Sequence, residues 1–314
     1  MLFRSSSAAA LTAALKPVEQ AFATATGEFK GTLCLFSKSV PQLKWQELAQ
    51  HAKAAGFGGI DLTVRRDGHV MPSRAADDLP RAVAAIRAEG LEVPMITTEL
   101  VTENDPTAEP IIRTAADLHI PFLKPGYYHY RFTDVRKELA AAGAQFRDLV
   151  GLAAKHGVQV GFHNHAGYIG CQLWDIAPVM DTLDPRYAGY YYDLDNAAME
   201  GGVEGWRIAA NLVMPRLKML GAKDFIWRKT EEKGWQATNC PLGQGMCKYP
   251  ELLKTVAATG FHGPVSLHME YEIAGVSDNQ GIALSRQTDD QVMVAAQRDL
   301  ETLKSLLRTA YAGT

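Results

Sequence analysis

The sequence predicts a (β/α)8 barrel, an α/β fold in which eight parallel strands form a closed cylinder inside a ring of helices. From residue 31 onward, short β-rich runs alternate with longer helical runs, and this alternation occurs eight times. Each β-then-α unit is about 30 residues long, and eight such units give the roughly 250 residues that this fold typically contains. A doubly wound open sheet with fewer strands is the alternative, but no GxGxxG motif follows the first predicted strand.

The individual elements are predicted from β-rich runs, helical runs and the signals that end helices. Strands are predicted at residues 32–36, 59–64, 93–97, 121–124, 158–163, 189–193, 217–220 and 264–269. Helices are predicted at residues 45–55, 79–89, 111–118, 135–156, 173–183, 206–213, 251–259 and 291–311. Four helices end at a glycine followed directly by an apolar residue, namely Gly56, Gly90, Gly157 and Gly260. Glycine readily adopts the left-handed conformation that closes a helix. We therefore expect one barrel domain at residues 31–312.

Residues 1–27 differ from the rest of the chain in composition. They are rich in Ala, Ser and Thr, contain Arg4, and carry a mildly apolar stretch at residues 8–15 followed by small-x-small sites at 21–25. This pattern resembles an export signal that is removed from the mature protein, and it favours a periplasmic or exported location. A solvated N-terminal helix or tail on a cytoplasmic protein is the alternative.

Composition and charge exclude several classes of function. The 314 residues include 32 Lys and Arg against 35 Asp and Glu, a net charge of −3 that lacks the basic surplus of a nucleic-acid-binding protein. No run of 18 or more apolar residues occurs, so no membrane-spanning helix is predicted. The four cysteines fit no zinc-binding spacing. The expected partner is a small molecule, and the oligomeric state is left open, with a homo-oligomer as one alternative.

Histidine and acidic residues end three of the predicted strands. In a barrel of this kind the active site is built at the carboxyl ends of the strands. Residues two apart in a strand share a face, so His163 and His165 of strand five point the same way, as do Asp193 and Asp195 of strand six, and His268 and Glu270 of strand eight. Buried carboxylates need a proton or a cation. We predict one divalent metal ion held by ligands drawn from His163, His165, Asp193, His268 and Glu270; structural histidines bonded to the backbone are the alternative.

Other polar residues follow further strands and are candidates for catalysis or substrate binding. Lys223 follows strand seven and is expected to stabilise an oxyanion, while Glu270 and His165 are the candidate proton carriers. Each remaining candidate has the alternative of a solvated loop position, and all are assigned to substrate binding: Arg65, His69, Glu99, Lys124, Asp195 and Asn196.

Several segments together resemble the xylose-isomerase-like sugar phosphate isomerase/epimerase superfamily. They are Gly-Phe-Gly-Gly-Ile-Asp-Leu at 56–62, His-Asn-His at 163–165, Tyr-Asp-Leu-Asp-Asn at 192–196, Lys-Asp at 223–224 and Gly-Pro-Val-Ser-Leu-His-Met-Glu at 263–270. The resemblance covers almost the whole chain after residue 31 and implies a (β/α)8 barrel with a divalent metal at its mouth.

The usual metal ligands of that superfamily are Glu, Asp, His and Glu at the ends of strands five to eight. Carried over by position, His163 stands at the first, Asp193 matches the second, Gly221 stands at the third and His268 at the fourth. Asn196 replaces the His of the common Asp-x-x-His pattern. An imidazole-rich set suits Mn²⁺, Zn²⁺ or Co²⁺ better than Mg²⁺, and the habit of the superfamily favours Mn²⁺.

The resemblance implies a metal-dependent sugar isomerase or epimerase that acts on a keto-sugar or sugar derivative through an enediolate. A metal-dependent dehydratase or lyase acting on an oxidised sugar or inositol, similar to inosose dehydratase, is the second hypothesis. An exported sugar-binding barrel without catalytic activity is the third, because fold alone does not guarantee activity. In all three hypotheses the ligand is a small-molecule carbohydrate.

Overall fold

A computed structural model describes residues 27–271, Ile273 and 286–312. Within these residues the strands of the barrel are β1 (Leu33–Phe36), β2 (Gly59–Val64), β3 (Glu92–Thr98), β4 (Phe122–Lys124), β5 (Gln159–His163), β6 (Ala188–Asp193), β7 (Leu217–Ala222) and β10 (Val265–Leu267). They pair in parallel in the order β1-β10-β7-β6-β5-β4-β3-β2 and close on themselves. The predicted (β/α)8 barrel is confirmed.

Helices follow the barrel strands along the chain. They are α1 (Trp45–Ala54), α2 (Ala75–Ala88), α3 (Ala108–Asp117), α4 (Val135–Lys155), α5 (Ala177–Met180), α6 (Leu194–Val213), α7 (Tyr249–Ala258) and α8 (Arg286–Ala312). The four glycines predicted to end helices have positive φ angles, from 69° at Gly260 to 91° at Gly56. None of these helices is both long and apolar enough to cross a bilayer, within the residues that the structure describes.

The largest differences between predicted and observed helices occur on either side of β6. The predicted helix 173–183 is only a short 3-10 turn, Leu173–Asp175, followed by α5. Pro178 explains the break, because it has no amide hydrogen to donate to the carbonyl of Trp174. The predicted helix 206–213 begins earlier, at Leu194, and bends at Gly202, whose φ is 63°. Helix α6 therefore starts directly at the end of β6, which places its first turn beside the barrel mouth.

An antiparallel hairpin between β7 and α7 was not predicted. It consists of β8 (Asp224–Thr230) and β9 (Gly234–Cys240), which pair with each other outside the barrel. Most residues of its outer part are exposed or half-buried. Buried and exposed positions do not alternate there, so the sequence lacks the pattern of apolar and polar residues that marks a half-buried strand. At its base, the Asn239 side-chain amide donates to the carbonyl of Glu270 at 3.1 Å, so the hairpin borders the mouth of the barrel.

The core has two layers. The barrel interior is filled by Met95, Tyr191 and Met219, against which Phe122 packs. Around the strands, a larger apolar cluster fills the space between the sheet and the helices. Inner and outer layers of this kind leave the carboxyl ends of the strands as the place where polar side chains gather.

Residues 1–26, which carry the predicted export signal, lie outside the described residues. The leader, the exported location and the limits of the domain therefore stay predictions.

Candidate active site

A cavity of about 530 Å³ opens at the carboxyl ends of the barrel strands, where the sequence places the active site. The predicted site residues that line it are Arg65, Glu99, Lys124, His163, His165, Lys223, His268 and Glu270. The wall also includes residues that the sequence does not predict as site residues, among them Phe36, Lys38, Thr97, Tyr127 and Tyr168. His163 ends β5 and His165 follows it by two residues, and the period of two extended past the strand correctly directs both toward one space.

The ammonium of Lys223 lies at the centre of a buried cluster of acids. Its Nζ is 3.2 Å from Oε2 of Glu270, 3.6 Å from Oδ2 of Asp193 and 3.5 Å from Oδ2 of Asp195. It also donates to Oδ1 of Asn196 at 3.4 Å. These partners come from the end of β6, the start of α6 and the segment after β10, so the cluster joins neighbouring parts of the barrel rim.

Charge pairing fixes the protonation of most of this cluster. Burial alone would lower the pKa of Lys223, but the carboxylates of Asp193, Glu270 and Asp195 outweigh it and raise that pKa well above its usual value. Burial would likewise raise the pKa of Glu270 and of Asp193. The favourable interactions of each carboxylate, of which that with Lys223 is the largest, together outweigh burial, and the pKa of each lies below its usual range. Lys223 is therefore a permanent cation between two permanent anions.

Asp195 differs from its neighbours because burial dominates its ionisation. Its side chain has no exposed surface, and neither carboxylate oxygen has a hydrogen-bond partner in the described part of the chain. Burial raises the pKa of Asp195 to about 7, against the opposing effect of the Lys223 charge. The prediction that Asp195 lies on the substrate-facing wall is not met, because the chain leaves the strand at Asp193 and Asp195 belongs to α6.

His163 uses both of its ring nitrogens in hydrogen bonds. Nε2 lies 3.3 Å from Oδ2 of Asp193, and Nδ1 lies 2.9 Å from the hydroxyl of Tyr127. Burial lowers the pKa of His163 to about 3, so the ring is neutral. Since Asp193 is ionised and can only accept, Nε2 carries the ring proton and Nδ1 accepts from Tyr127. His163 thus holds a fixed tautomer and orientation on the cavity wall.

His268 is also neutral and held in place. Its Nε2 shares a hydrogen bond of 2.8 Å with the Tyr191 hydroxyl, and its ring stacks on Phe36 with 4.3 Å between the centroids. Burial lowers the pKa of His268 to about 4. The Tyr191 hydroxyl therefore engages one of the two nitrogens with which this ring could bind a metal ion.

His165 is the least buried of the three predicted histidines that line the cavity. Its Nδ1 hydrogen-bonds the carbonyl of Ala166 at 2.9 Å, which makes Nδ1 the protonated nitrogen and leaves Nε2 as an acceptor. Burial and then the positive charge of Lys223 lower the pKa of His165. The ring packs against Tyr127 and Tyr168 at centroid distances of 4.6 and 5.1 Å. A neutral, partly buried imidazole of this kind can act as a general base.

Asn196, predicted to bind substrate, is buried behind the cavity wall and ties its elements together. Its backbone N–H donates to Oδ1 of Asp193, as expected of the residue that follows the cap of a helix. Its side-chain amide donates to the carbonyl of Asn164, and its Oδ1 accepts from the N–H of Ala166. Asn164 in turn exchanges two hydrogen bonds of 2.8 Å with the backbone of Asp193. Asn196 therefore positions β5 relative to β6 and does not line the cavity.

A second buried charge, Lys124, lies on the opposite part of the wall. Its Nζ lies 3.5 Å from the centroid of the Tyr127 ring, in a cation–π contact. Burial, and then the charge of Arg65, lower the pKa of Lys124 to about 7. Among the described residues, no carboxylate forms an ion pair with this ammonium, so it is available to an anionic group in the cavity.

Beneath Lys124 lies a carboxyl group that the sequence analysis did not single out. Asp61, on β2, accepts hydrogen bonds from Thr97 at 2.7 Å and from Ser266 at 2.8 Å. Burial raises the pKa of Asp61 to about 6 despite these two donors. A charged residue within an otherwise apolar predicted strand was the available signal, since such a residue needs hydrogen-bond partners inside the barrel.

His69 does not reach the cavity, contrary to the prediction that it binds substrate. Its backbone N–H and its ring Nδ1 both contact Oγ1 of Thr63, at 3.0 and 3.3 Å. Its carbonyl accepts from the indole of Trp45. Burial lowers the pKa of His69 to about 4. Arg65 and Glu99 do line the cavity, and their closest charged atoms are 3.8 Å apart.

The Lys-Asp pair after β7 divides its tasks. Lys223 enters the cluster, whereas the carboxylate of Asp224 accepts backbone N–H groups from Gly243, Gly245 and Cys247, each at 3.0 Å. A Cβ atom on Gly245 would approach Oδ1 of Asp224 to 2.2 Å, so only glycine allows this close contact. Asp224 thus anchors the loop that follows the hairpin.

The arrangement of strands and site agrees with one known family. The family described as xylose isomerase-like TIM barrel matches residues 49–292, which is most of the chain. The chain belongs to the xylose isomerase-like TIM barrel family. No curated protein sequence matches the chain.

Solved structures share the xylose isomerase-like barrel at low sequence identity. A xylose isomerase-like TIM barrel protein from Mycobacterium smegmatis in complex with magnesium is 14% identical, with a TM-score of 0.66 and coverage of 90% of this chain and 98% of that one. The probable 3-DHS dehydratase AsbF from Bacillus anthracis is 14% identical, with a TM-score of 0.64 and coverage of 86% and 98%. The D-psicose 3-epimerase from Clostridium cellulolyticum H10, with D-tagatose, is 12% identical, with a TM-score of 0.63 and coverage of 88% and 99%.

The residues of this xylose isomerase-like barrel do not fit the divalent ion that the resemblance implies. No three His, Cys, Asp or Glu side chains are grouped so as to hold a metal ion, within the residues described. The Lys223 ammonium lies among the acids, and a Cβ atom on Gly221, at the strand-seven ligand position, would approach Oδ2 of Asp193 to 3.3 Å and the Tyr191 ring to 3.4 Å. The predicted ligand set is therefore not assembled. That set was predicted to hold Mn²⁺, or Zn²⁺ or Co²⁺ as alternatives, and its members were His163, His165, Asp193, His268 and Glu270.

Proposed function

We propose that this protein is a sugar isomerase or epimerase that moves a proton next to the carbonyl group of a keto-sugar or a related hydroxy-ketone. The observation that carries the proposal is the joint presence in one cavity of a neutral imidazole, His165, and a permanent ammonium, Lys223. The two are close enough for the charge of Lys223 to lower the pKa of His165. A base and a cation in one cavity are what enediolate formation requires.

The side chains divide the reaction between them. Nε2 of His165 accepts the proton from the carbon beside the carbonyl, while the Lys223 ammonium stabilises the negative charge that develops on oxygen. Return of that proton from His165 to the neighbouring carbon is isomerisation. Epimerisation takes its proton from a second donor on the opposite face of the same carbon, and the Lys124 ammonium, whose pKa is lowered to about 7, is the group on the cavity wall that can supply it. Glu270 is held by Lys223 and Lys38 and orients the ammonium; its pKa, lowered by these two charges against the effect of burial, makes it a weak base.

The cation surplus of the cavity favours a second candidate, a dehydratase that acts on an oxidised sugar. In the part of the chain that the structure describes, the cavity wall carries five cationic side chains, Lys38, Arg65, Arg66, Lys124 and Lys223, against the two acids Glu99 and Glu270. The buried Lys124, which lacks an ion-pair partner among the described residues, matches the carboxylate of a sugar acid. The same proton abstraction, followed by loss of a β-hydroxyl group, gives dehydration. A dehydratase and an epimerase are both among the similar folds.

Deuterium exchange tests this proposal without knowledge of the natural substrate. The purified protein is incubated in D₂O with a panel of ketoses, keto-glycosides and 2-hydroxy sugar acids, and the products are followed by NMR. We expect deuterium at the carbon beside a carbonyl in at least one sugar, and its loss in a His165→Gln variant. His156→Gln is the matched control, because His156 contacts Glu109 on the outside of the barrel.

The other outcomes separate the remaining hypotheses. Formation of a deoxy-keto product from a sugar acid, with a deuterium in place of the departed hydroxyl, would establish the dehydratase. Sugars that bind, shown by saturation-transfer NMR, but never take up deuterium would contradict an enzyme and support the sugar-binding protein.

A further inference from the structure

We propose that the ammonium of Lys223 takes the place of a divalent cation in this barrel, so that the site is a metal-free member of its fold family. This inference concerns the resident cation and goes beyond the proposed function, which specifies only the reaction. It is carried by the position of Lys223 among three acids and by the state of each residue that a metal ion would need.

Three acidic side chains surround the Lys223 ammonium. Three carboxylates from the end of β6, from α6 and from the segment after β10 have oxygens 3.2 to 3.6 Å from one nitrogen. The nitrogen belongs to a side chain that is 5% exposed, so water contributes little to its solvation. Desolvated acids in such an arrangement require a central cation, and Lys223 supplies it. A divalent ion in the same position would lie against this ammonium at contact distance, which like charges oppose.

The backbone of Lys223 is held in place, which keeps its side chain close to the acid cluster. Its backbone N–H donates to the hydroxyl of Tyr249 at 3.0 Å, and the same hydroxyl donates to its carbonyl at 2.7 Å. Tyr249 is itself buried at the start of α7. The Tyr249 hydroxyl thus holds both the N–H and the carbonyl of Lys223. The following residue, Asp224, is fixed by the backbone amides of the loop after the hairpin.

Three of the other ligand positions, those of His163, His268 and Gly221, are already engaged or lack a donor. His163 uses Nε2 toward Asp193 and Nδ1 toward Tyr127, so metal binding would break a buried hydrogen bond. His268 uses Nε2 toward Tyr191. Gly221 has no side chain, and the space beside it is filled by Asp193 and Tyr191. The residues at these three positions, which differ from the usual ligands, are therefore all consistent with an ammonium as the central cation.

An ammonium supplies different chemistry from a metal ion. It carries one positive charge and donates hydrogen bonds to an oxyanion, but it does not chelate two substrate oxygens as an octahedral ion does. The substrate must therefore be oriented by the other polar side chains of the wall, among them Lys124 and Arg65. Recognition by several fixed hydrogen-bonding groups replaces recognition by chelation.

Mn²⁺ binding tests the inference directly and does not depend on a substrate. Chelator-treated wild-type protein, Lys223→Arg and Lys223→Met are titrated with Mn²⁺, and free Mn²⁺ is followed by electron paramagnetic resonance. We expect no stoichiometric binding to the wild type or to Lys223→Arg, which both keep a cation. Lys223→Met leaves the three acids without their cation, and we expect it to bind Mn²⁺ at least about tenfold more tightly than the wild type and to gain thermal stability from the ion.

Two results would overturn the inference. One is a wild-type protein that binds close to one equivalent of Mn²⁺, and the other is a folded Lys223→Met protein whose Mn²⁺ binding equals that of the wild type. If Lys223→Met does not fold, Lys223→Gln, which keeps a polar side chain, is titrated in its place. Wild-type protein that binds no Mn²⁺ and also exchanges no deuterium would contradict the proposed function and leave this inference standing; protein that exchanges deuterium and holds Mn²⁺ would do the reverse.

Discussion

The Lys38 ammonium lies 2.9 Å from Oε1 of Glu270, although the two residues are 232 positions apart in the chain. They meet because closure of the barrel makes β1 and β10 neighbours, and each residue follows one of these strands. The other oxygen of the same carboxylate faces Lys223 at 3.2 Å. Glu270 thus contacts one ammonium through each oxygen, and it links Lys38, which follows β1, to Lys223 at the centre of the acid cluster.

Replacement of Lys38 should shift the acidic limb of the pH–rate profile. In Lys38→Met the pKa of Glu270 loses one of the two charges that lower it, so this pKa rises. Glu270 then takes up its proton at a higher pH, the Lys223 ammonium loses a partner, and turnover falls earlier on acidification. Lys38→Arg keeps the charge and should preserve the profile. Profiles of kcat for the three proteins check this, and an unshifted acidic limb in Lys38→Met would show that Lys38 does not act through Glu270.

Asp195 should destabilise the protein at neutral and alkaline pH. Its folded-state pKa is raised from 3.8 to about 7, so the folded protein keeps a proton that the unfolded chain releases. Stability is therefore lost as pH rises through this window, because the unfolded state binds fewer protons there. Asp195→Asn should raise the free energy of unfolding by about 1–3 kcal/mol at pH 8, with a much smaller gain at pH 4.5.

Urea denaturation at the two pH values measures this difference, and Asp193→Asn is the matched comparison. Asp193 is ionised, caps α6 through Asn196 and contacts His163, so its amide variant should be destabilised at pH 8. Equal effects of the two substitutions would contradict the separate protonation states assigned to these neighbouring acids.

The sequence predicts the fold and the strand-five part of the site because both depend on local regularities. The glycines that end helices, such as Gly157, mark the units. The alternation of side chains along β5, extended two residues past its last residue His163, directs His163 and His165 to one cavity. The same alternation fails for Asp195, because the chain has already entered α6 and helical geometry sets its direction. Lys38 was missed because its contact with Glu270 exists only once the barrel has closed.

The identity of the central cation could not be predicted from residue types alone. Histidines and acids at strand ends suit a metal ion as well as they suit a hydrogen-bonded network. What separates the two is the distance to each imidazole nitrogen and the identity of its hydrogen-bond partner: the hydroxyls of Tyr127 and Tyr191 bind the nitrogens of His163 and His268. Such partners come from other strands or loops, and single-sequence patterns contain no information on which tyrosine reaches which ring.

Binding of an anionic ligand should weaken as pH rises through the pKa of Lys124. Burial and the charge of Arg65 lower that pKa to about 7, so the side chain changes from ammonium to amine between pH 6 and pH 8. The dissociation constant of a sugar acid should rise by up to about tenfold over this range, in proportion to the loss of the charged form. Isothermal titration at both pH values checks this.

Two variants and a neutral ligand control that experiment. Lys124→Arg stays charged and should bind the sugar acid equally at pH 6 and pH 8, while Lys124→Met should bind it weakly at both. The neutral sugar of the same size should show little pH dependence. A sugar acid whose affinity for the wild type is constant from pH 6 to pH 8 would remove Lys124 from the anion site.

Loss of the Tyr127 hydroxyl should disturb His163 and, through it, the acid cluster. Tyr127→Phe keeps the ring beneath the Lys124 ammonium but removes the donor to Nδ1 of His163, which is buried. An unsatisfied buried acceptor costs about 1–3 kcal/mol, so the midpoint of unfolding should fall. Rotation of the His163 ring to find another donor would also break its contact with Asp193, and we expect turnover to fall by about tenfold or more.

Tyr128→Phe is the matched control, because the Tyr128 hydroxyl donates to the carbonyl of Val101 and does not line the cavity. It should lose similar stability and keep full turnover, as measured by urea denaturation and deuterium exchange; equal turnover in the two variants would show that the Tyr127 hydroxyl has a structural role only.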